Sequence, residues 1–315
     1  MFVLDTQPVR VADATSGRQR RRRRRIPIAP YLYVLPALLL LGVWVYRPLI
    51  QTFELSFYNW NLLPTQPLTP AGISNYTSIV TSPELRQAVI NTLIYIGAFL
   101  VFSVVLPIAV ALLSRQVGGR AKTIYQAIIF VPFLVTPVAA AAVWRWLLSS
   151  PGGAIPTVLQ HFGVDIGDVL RSPSGAIWAI IVIVGWQLLG FGVLVVSAGI
   201  AGINPDYAHA ASVDGAHGWT ILRRITLPLL SPTIVFLLLM TILLAAQWTY
   251  PMIDILTQGG PSDSTTNVYY LLYQIGFQNF DAGTAGAAGT LFFIVFGLIA
   301  LGLVTLSDRL SFYDN

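Results

Sequence analysis

Asn204-Pro-Asp-Tyr-Ala-His-Ala-Ala-Ser-Val-Asp-Gly-Ala-His-Gly-Trp-Thr-Ile-Leu-Arg-Arg-Ile-Thr-Leu-Pro228 is a polar stretch held between two long apolar runs. Its start carries the marks of a helix N-terminus. Asn204 can cap, Pro205 suits the first helical position, and the Asp206 carboxylate complements the helix dipole. Ala208, Ala210 and Ala211 favour helix and have small profiles. Gly215 allows a turn that a β-carbon would resist. A second helical stretch, residues 219–227, then runs into Pro228. A short helix with small side chains, held at a membrane surface, can slot into a groove on a partner. A plain connector needs neither this length nor this alanine clustering.

The flanking runs are two of six. A spanning helix needs about 20 mostly apolar residues, and residues 30–50, 88–113, 123–148, 176–203, 229–250 and 285–306 all qualify. The expected fold is therefore an all-α membrane protein with six transmembrane helices. Composition agrees: of 315 residues, 55% are hydrophobic and 10% charged, against about 25% charged in soluble domains. An ordinary soluble enzyme and a disordered chain are both excluded. The absence of cysteine excludes a disulfide framework or a thiolate metal site.

Loop charges orient the spans. With the N-terminus inside, the inner segments carry Arg10, Arg18, the run Arg20 to Arg25, then Arg115, Arg120, Lys122, Arg223, Arg224 and Arg309. The outer loops carry Arg86 and Arg171, while Arg47 and Arg145 fall where long side chains can snorkel to the interface. Both termini and the 204–228 loop are then expected in the cytoplasm. The formal charge of +5 describes the basic tail, so nucleic acid is not implied as a partner. The tail can hold anionic lipid headgroups or simply enforce topology. The first run is long and lacks a small-residue cleavage site, which reads as a permanent helix and not a signal peptide. The expected organisation is a disordered tail, 1–29, and one transmembrane domain, 30–315.

The 204–228 loop resembles the cytoplasmic signature of ABC-importer permeases: Glu-Ala-Ala, three residues, Gly, nine residues, Ile, one residue, Leu-Pro. Ala210, Ala211, Gly215, Ile225, Leu227 and Pro228 stand at that spacing, and Asp214-Gly215-Ala216 matches a common extension. His209 replaces the glutamate, which puts an ion pair from that position in doubt; a hydrogen bond from His209 and a merely solvated histidine both remain open. Trp144-Arg145-Trp146, Leu256-Thr-Gln-Gly-Gly-Pro261 and Thr265-Thr266 resemble the carbohydrate-type subfamily, in its first-permease form. Thr136-Pro-Val-Ala-Ala140 and Tyr250-Pro-Met-Ile-Asp254 are similar to permeases for glycerol-3-phosphate and glycerophosphodiesters, with disaccharide permeases close behind.

The resemblance implies a coupling loop seated on a homodimeric ATPase, a second permease subunit, an extracytoplasmic solute-binding lipoprotein, and residence in a bacterial-type cell membrane. ATP and magnesium would belong to the partner ATPase; no cofactor, metal site or catalytic residue is expected on this chain. Candidate linings for a polar solute are Gln187, Gln247, Trp248, Tyr250, Asp254, Tyr273 and Gln274. For Gln187 and Gln247, bonding between helices is an equal alternative. Gly283, Gly286 and Gly289 are read as close-packing positions. An ion-coupled carrier is disfavoured because the carboxylates sit in loops or at helix ends. A non-transporting scaffold would show the same docking loop.

Overall fold

The computed structural model describes residues 29–114 and 118–310. The side chains of 29–31, 122 and 306–310 are not described, so the basic tail, Arg115, and the Lys122 and Arg309 side chains lie outside the described residues. The chain divides into two units, Met1–Leu49 and Ile50–Asn315.

Among the described residues, five helices are long and apolar enough to cross a membrane: Leu32–Leu55, Pro83–Leu113, Pro173–Ala201, Ser231–Thr257 and Ala282–Thr305. The third expected span is not one helix. It is built from Gly119–Leu134 and Pro137–Leu148, which meet at 92°. The cause is local: Pro137 disfavours helical geometry at Thr136, and Val135 and Thr136 are extended with ψ of 125° and 142°. Five spans therefore stand alone, and there are six if the bent pair counts as one.

Other prolines are absorbed without a break. The helices widen to π geometry over Gly42–Tyr46, Val101–Val105 and Leu222–Thr226. Each wide turn ends two residues before a proline: Pro48, Pro107 and Pro228. Proline lacks an N–H, and its ring presses on the carbonyl four residues back. One extra residue in the turn relieves that clash. The preceding amides then bond five residues back, as Leu106 N–H does to Val101 O and Leu227 N–H to Leu222 O.

The core of the larger unit forms around Pro173–Ala201. Its most apolar window is 61% buried, against 11% for Ala282–Thr305. Ile180, Ile183, Val184 and Leu188 pack with Tyr95, Phe99, Met252, Ile253 and Tyr270. Ser172 caps this helix by accepting from Gly175 N–H at 3.1 Å, and Ser82 caps Pro83–Leu100 in the same way. A two-residue antiparallel ladder, Tyr58–Asn59 with Thr69–Pro70, closes the loop after the first span.

Of the three close-packing glycines, Gly283 and Gly286 face backbone. A β-carbon at Gly283 would overlap the Tyr58 carbonyl, and one at Gly286 would lie 2.8 Å from Thr52 O. At Gly289 the nearest atom is an ordinary 3.7 Å away. Gly283→Ala should therefore cost about 1–3 kcal/mol through overpacking, seen as a lowered melting temperature in detergent, while Gly289→Ala should melt like the parent.

Candidate functional site

Two places concentrate chemistry. The first is the 204–228 loop. Asn204 Oδ1 accepts from Asp206 N–H at 2.9 Å and opens the helix Pro205–Val213. The helix ends at Gly215, whose φ is +80°. Gly215 N–H donates to Ser212 O and Ala216 N–H to Ala211 O at 2.9 Å, which reverses the chain. This left-handed position is what makes glycine the favoured residue here. The second helical stretch is Gly218–Ile221, the wide turn Leu222–Thr226, and Leu227–Leu229.

No residue of Pro205–Val213 is buried. Tyr207, Val213 and Trp219 are 41%, 87% and 71% exposed, a grouping of large apolar side chains on a polar loop that suits a contact surface. His209, Ala210, Asp214 and Gly215 are exposed, while Ala211, Ala216, Ile225, Leu227 and Pro228 are half-buried. His209 and Ile225 share the wall of a cavity of about 480 Å³ with Asn204, Ala208, Ser197 and Thr226. The two halves of the loop thus meet.

The second place lies where Ser231–Met252 continues into the wide turn Ile253–Thr257. Tyr250 packs on Tyr269, Tyr270 and Tyr273 at ring separations of 5.6, 5.9 and 5.2 Å, and Tyr273 stacks on Phe277. Tyr250, Tyr269, Tyr273 and Phe277 line a cavity of about 510 Å³. Tyrosine presents an apolar ring together with a polar hydroxyl. Tyr270 O–H donates to Asp254 Oδ1 at 3.4 Å. Burial, then the Asp254 charge, pushes the Tyr270 hydroxyl pKa up, so this phenol stays protonated and able to donate.

The candidate lining residues therefore separate. Tyr250, Asp254 and Tyr273 come together. Gln274 is half-buried beside Gly259. Gln247 is exposed. Trp248 stacks on Phe133 at 5.0 Å, and Phe133 in turn on Phe191, away from the tyrosines. Gln187 is fully buried and donates through Nε2 to Val135 O at 3.0 Å and Pro132 O at 3.3 Å. Its amide thus serves two carbonyls at the 92° bend, and its Oε1 has no partner among the described residues.

Sequence reading missed the polar clasp behind the tyrosines. Thr265, Thr266 and Asn267 are all buried. Asn91 Nδ2 donates to Asp263 O and Thr266 O, and Tyr95 O–H to Thr265 O. Asn267 bonds Thr249 and caps Tyr270 N–H, while Thr92 Oγ1 accepts from Val268 N–H. The available signal was Asn91-Thr92 inside an apolar run, where polar groups need partners.

The comparisons match this architecture. Residues 103–311 match the model of the family described as binding-protein-dependent transport system inner membrane component. A probable ABC transporter permease protein of Sinorhizobium fredii is 30% identical over 291 residues, 90% of this chain and 92% of that one. The sn-glycerol-3-phosphate transport system permease protein UgpA of Brucella suis is 27% identical, covering 90% and 97%. The multiple sugar-binding transport system permease protein MsmF of Streptococcus mutans is 28% identical, covering 89% and 95%. A crystal structure of a bacterial ABC transporter involved in import of the acidic polysaccharide alginate has a chain that superposes with a TM-score of 0.77 at 27% identity, covering 89% and 95%. A crystal structure of a bacterial alginate ABC transporter in complex with an alginate pentasaccharide-bound periplasmic protein matches with a TM-score of 0.77 at 26% identity, covering 90% and 95%. With its apolar helices and this match over most of its length, the chain belongs to the family of binding-protein-dependent transport system inner membrane components, multi-pass permeases of ABC transporters.

Proposed function

We propose that this chain is one of two permease subunits of an ABC importer that moves a sugar or glycerol-phosphate-type solute into the cell by ATP-driven alternating access. The observation that carries the reading is the 204–228 loop, with its exposed Tyr207, Val213 and Trp219 around a left-handed glycine. The loop charges put it in the cytoplasm with both termini. There it docks on a homodimeric ATPase, which holds ATP and magnesium. A second permease completes the pathway, and a solute-binding lipoprotein delivers from outside. His209, Ala210, Ala211, Asp214, Gly215 and Ala216 form the contact, and Ile225, Leu227 and Pro228 carry its motion into the span Ser231–Thr257. ATP drives the cycle because the ATPase dimer favours one access state over the other by differential contacts.

Tyr250, Asp254 and Tyr273 are the residues proposed to face the solute. Gln187, fully buried on the carbonyls of the bend, is assigned to helix packing instead of the solute path.

Purification of this chain together with a partner ATPase and second permease tests the reading. Reconstituted in vesicles, the complex should hydrolyse ATP faster when loaded binding protein is outside, and should take up solute only with ATP inside. Uptake that survives ATP depletion but collapses with an uncoupler would identify an ion-coupled carrier. ATPase binding without any solute-stimulated turnover would identify a scaffold. His209→Glu should be tolerated in uptake, because it restores the glutamate of the signature this loop resembles; loss of the assembled complex would show a partner matched to histidine.

A further inference from the structure

A cavity apart from the loop and the tyrosines gathers Arg145, Arg171, Asp168, Ser149 and Ser150 around the Gly260-Pro261 turn, with a volume of about 560 Å³. Every wall comes from the end of the chain's spans opposite the 204–228 loop: the last turn of Pro137–Leu148, the segment before Pro173–Ala201, and the turn after Ser231–Thr257. Arg171 meets Asp168 through Nε at 3.3 Å, and its side chain is otherwise largely exposed. Arg145 has no ion pair or hydrogen bond among the described residues. Its charge complements the C-terminus of its own helix, yet that leaves the guanidinium fork unoccupied. Two guanidiniums and one carboxylate make a net positive cleft.

The far wall is rigid. Thr265 Oγ1 donates to Gly260 O at 3.1 Å and pairs with Thr257 Oγ1 at 2.8 Å. Tyr95 O–H holds the Thr265 carbonyl. A fixed wall in the same cavity as two arginines suits a carboxylate, which arginine recognises by paired hydrogen bonds.

We propose that this cleft receives an acidic side chain of the solute-delivering binding protein. The inference rests on the importer reading above, which places these loops outside. Exposure decides between a protein carboxylate and an anionic solute. Arg171 is 87% exposed and Arg145 is exposed as well, whereas small-molecule sites enclose most of the ligand surface. Exposed rim charges set encounter rate and salt dependence more than final affinity.

The test uses the whole importer in nanodiscs of zwitterionic lipid, with ATP hydrolysis followed as loaded binding protein is titrated. The double variant Arg145→Gln, Arg171→Gln should raise the half-maximal binding-protein concentration about tenfold at low salt, and the gap should close at high salt, where exposed charges are screened. Basal and maximal rates should stay unchanged. Arg145→Glu should weaken the interaction further, and lysine in place of an acidic residue on the binding protein should restore it. An unchanged half-maximal concentration at low salt overturns the proposal. So does a changed preference for anionic over neutral solute at saturating binding protein, which assigns the cleft to solute. A response that follows added anionic lipid overturns it too. If the parent complex shows no ATP hydrolysis stimulated by binding protein, it is the importer reading that fails.

Discussion

Gly215→Asp is expected to abolish uptake while the protein still accumulates in the membrane. Two observations separate these effects. The φ of +80° disfavours side chains, but a β-carbon at Gly215 meets nothing within 4 Å, so the chain itself has room for the new group. Aspartate is among the residues that tolerate left-handed geometry, and the conformational cost is about 1–2 kcal/mol at most. The intruding carboxylate instead projects from a surface on which Tyr207, Val213 and Trp219 are exposed. If a partner closes over that surface, an unpaired charge buried there costs several kcal/mol, equivalent to a loss of more than about 100-fold. Solute uptake by cells, measured beside membrane abundance and ATPase co-purification, reads the result. Full uptake would remove the loop from the coupling path, and loss of abundance would make the glycine a folding residue only. Gly215→Asn, similar in backbone tolerance and uncharged, should fall between the two.

Gln187→Glu is expected to have the second large effect, on assembly. Gln187 lies near the middle of Pro173–Ala201 and is fully buried, with Nε2 reaching the Val135 and Pro132 carbonyls. An ionised glutamate would set acceptors against acceptors, and a neutral one has a single proton to give. Gln187→Leu is the companion variant. It strips Val135 O of its donor, whereas Pro132 O keeps the Val135 amide at 3.2 Å. One buried carbonyl left unmet costs about 1–3 kcal/mol. The leucine variant should therefore melt early but fold, and the glutamate variant should fail to accumulate. If both matched the parent in thermal stability and abundance, the bend would be held by its prolines alone.

The spans were legible because apolar length in a membrane protein is a direct physical demand. Expected starts at residues 88, 176 and 285 fall three to five residues inside the observed Pro83, Pro173 and Ala282, since capping segments such as Ser82-Pro83 and Ser172-Pro173 are polar and dilute the apolar signal. The bend in the third span was written in Pro132 and Pro137, but proline alone is ambiguous. Pro107 and Pro228 sit in helices that widen and continue. At the Pro137 bend the Pro132 and Val135 carbonyls are met by Gln187, about fifty residues away in sequence, and no local reading joins them.

The loop 204–228 was legible in its cap, its alanines and its glycine turn because those signals act within a few residues. The tyrosine cleft was only partly so. Tyr250, Asp254 and Tyr273 stood out as polar or aromatic near a helix end, but Tyr269 and Tyr270 gain their place from the short helix Val268–Tyr273. That helix is anchored by Asn91 and Thr92, more than 170 positions earlier. Trp248 carried the same surface signal as Tyr250, yet two residues further along a helix is about 200° around it, which turns the rings to different neighbours.

The wide turn ahead of Pro228 has a mechanical consequence. An inserted residue advances a helix by about 100° and 1.5 Å, so the segment Gly218–Ile221 sits at an azimuth fixed by that one surplus residue. Were the ring at 228 replaced by an ordinary side chain and the turn to rewind, every group upstream would swing by more than a quarter revolution relative to the rod below it. The proline therefore sets the phase between crank and shaft.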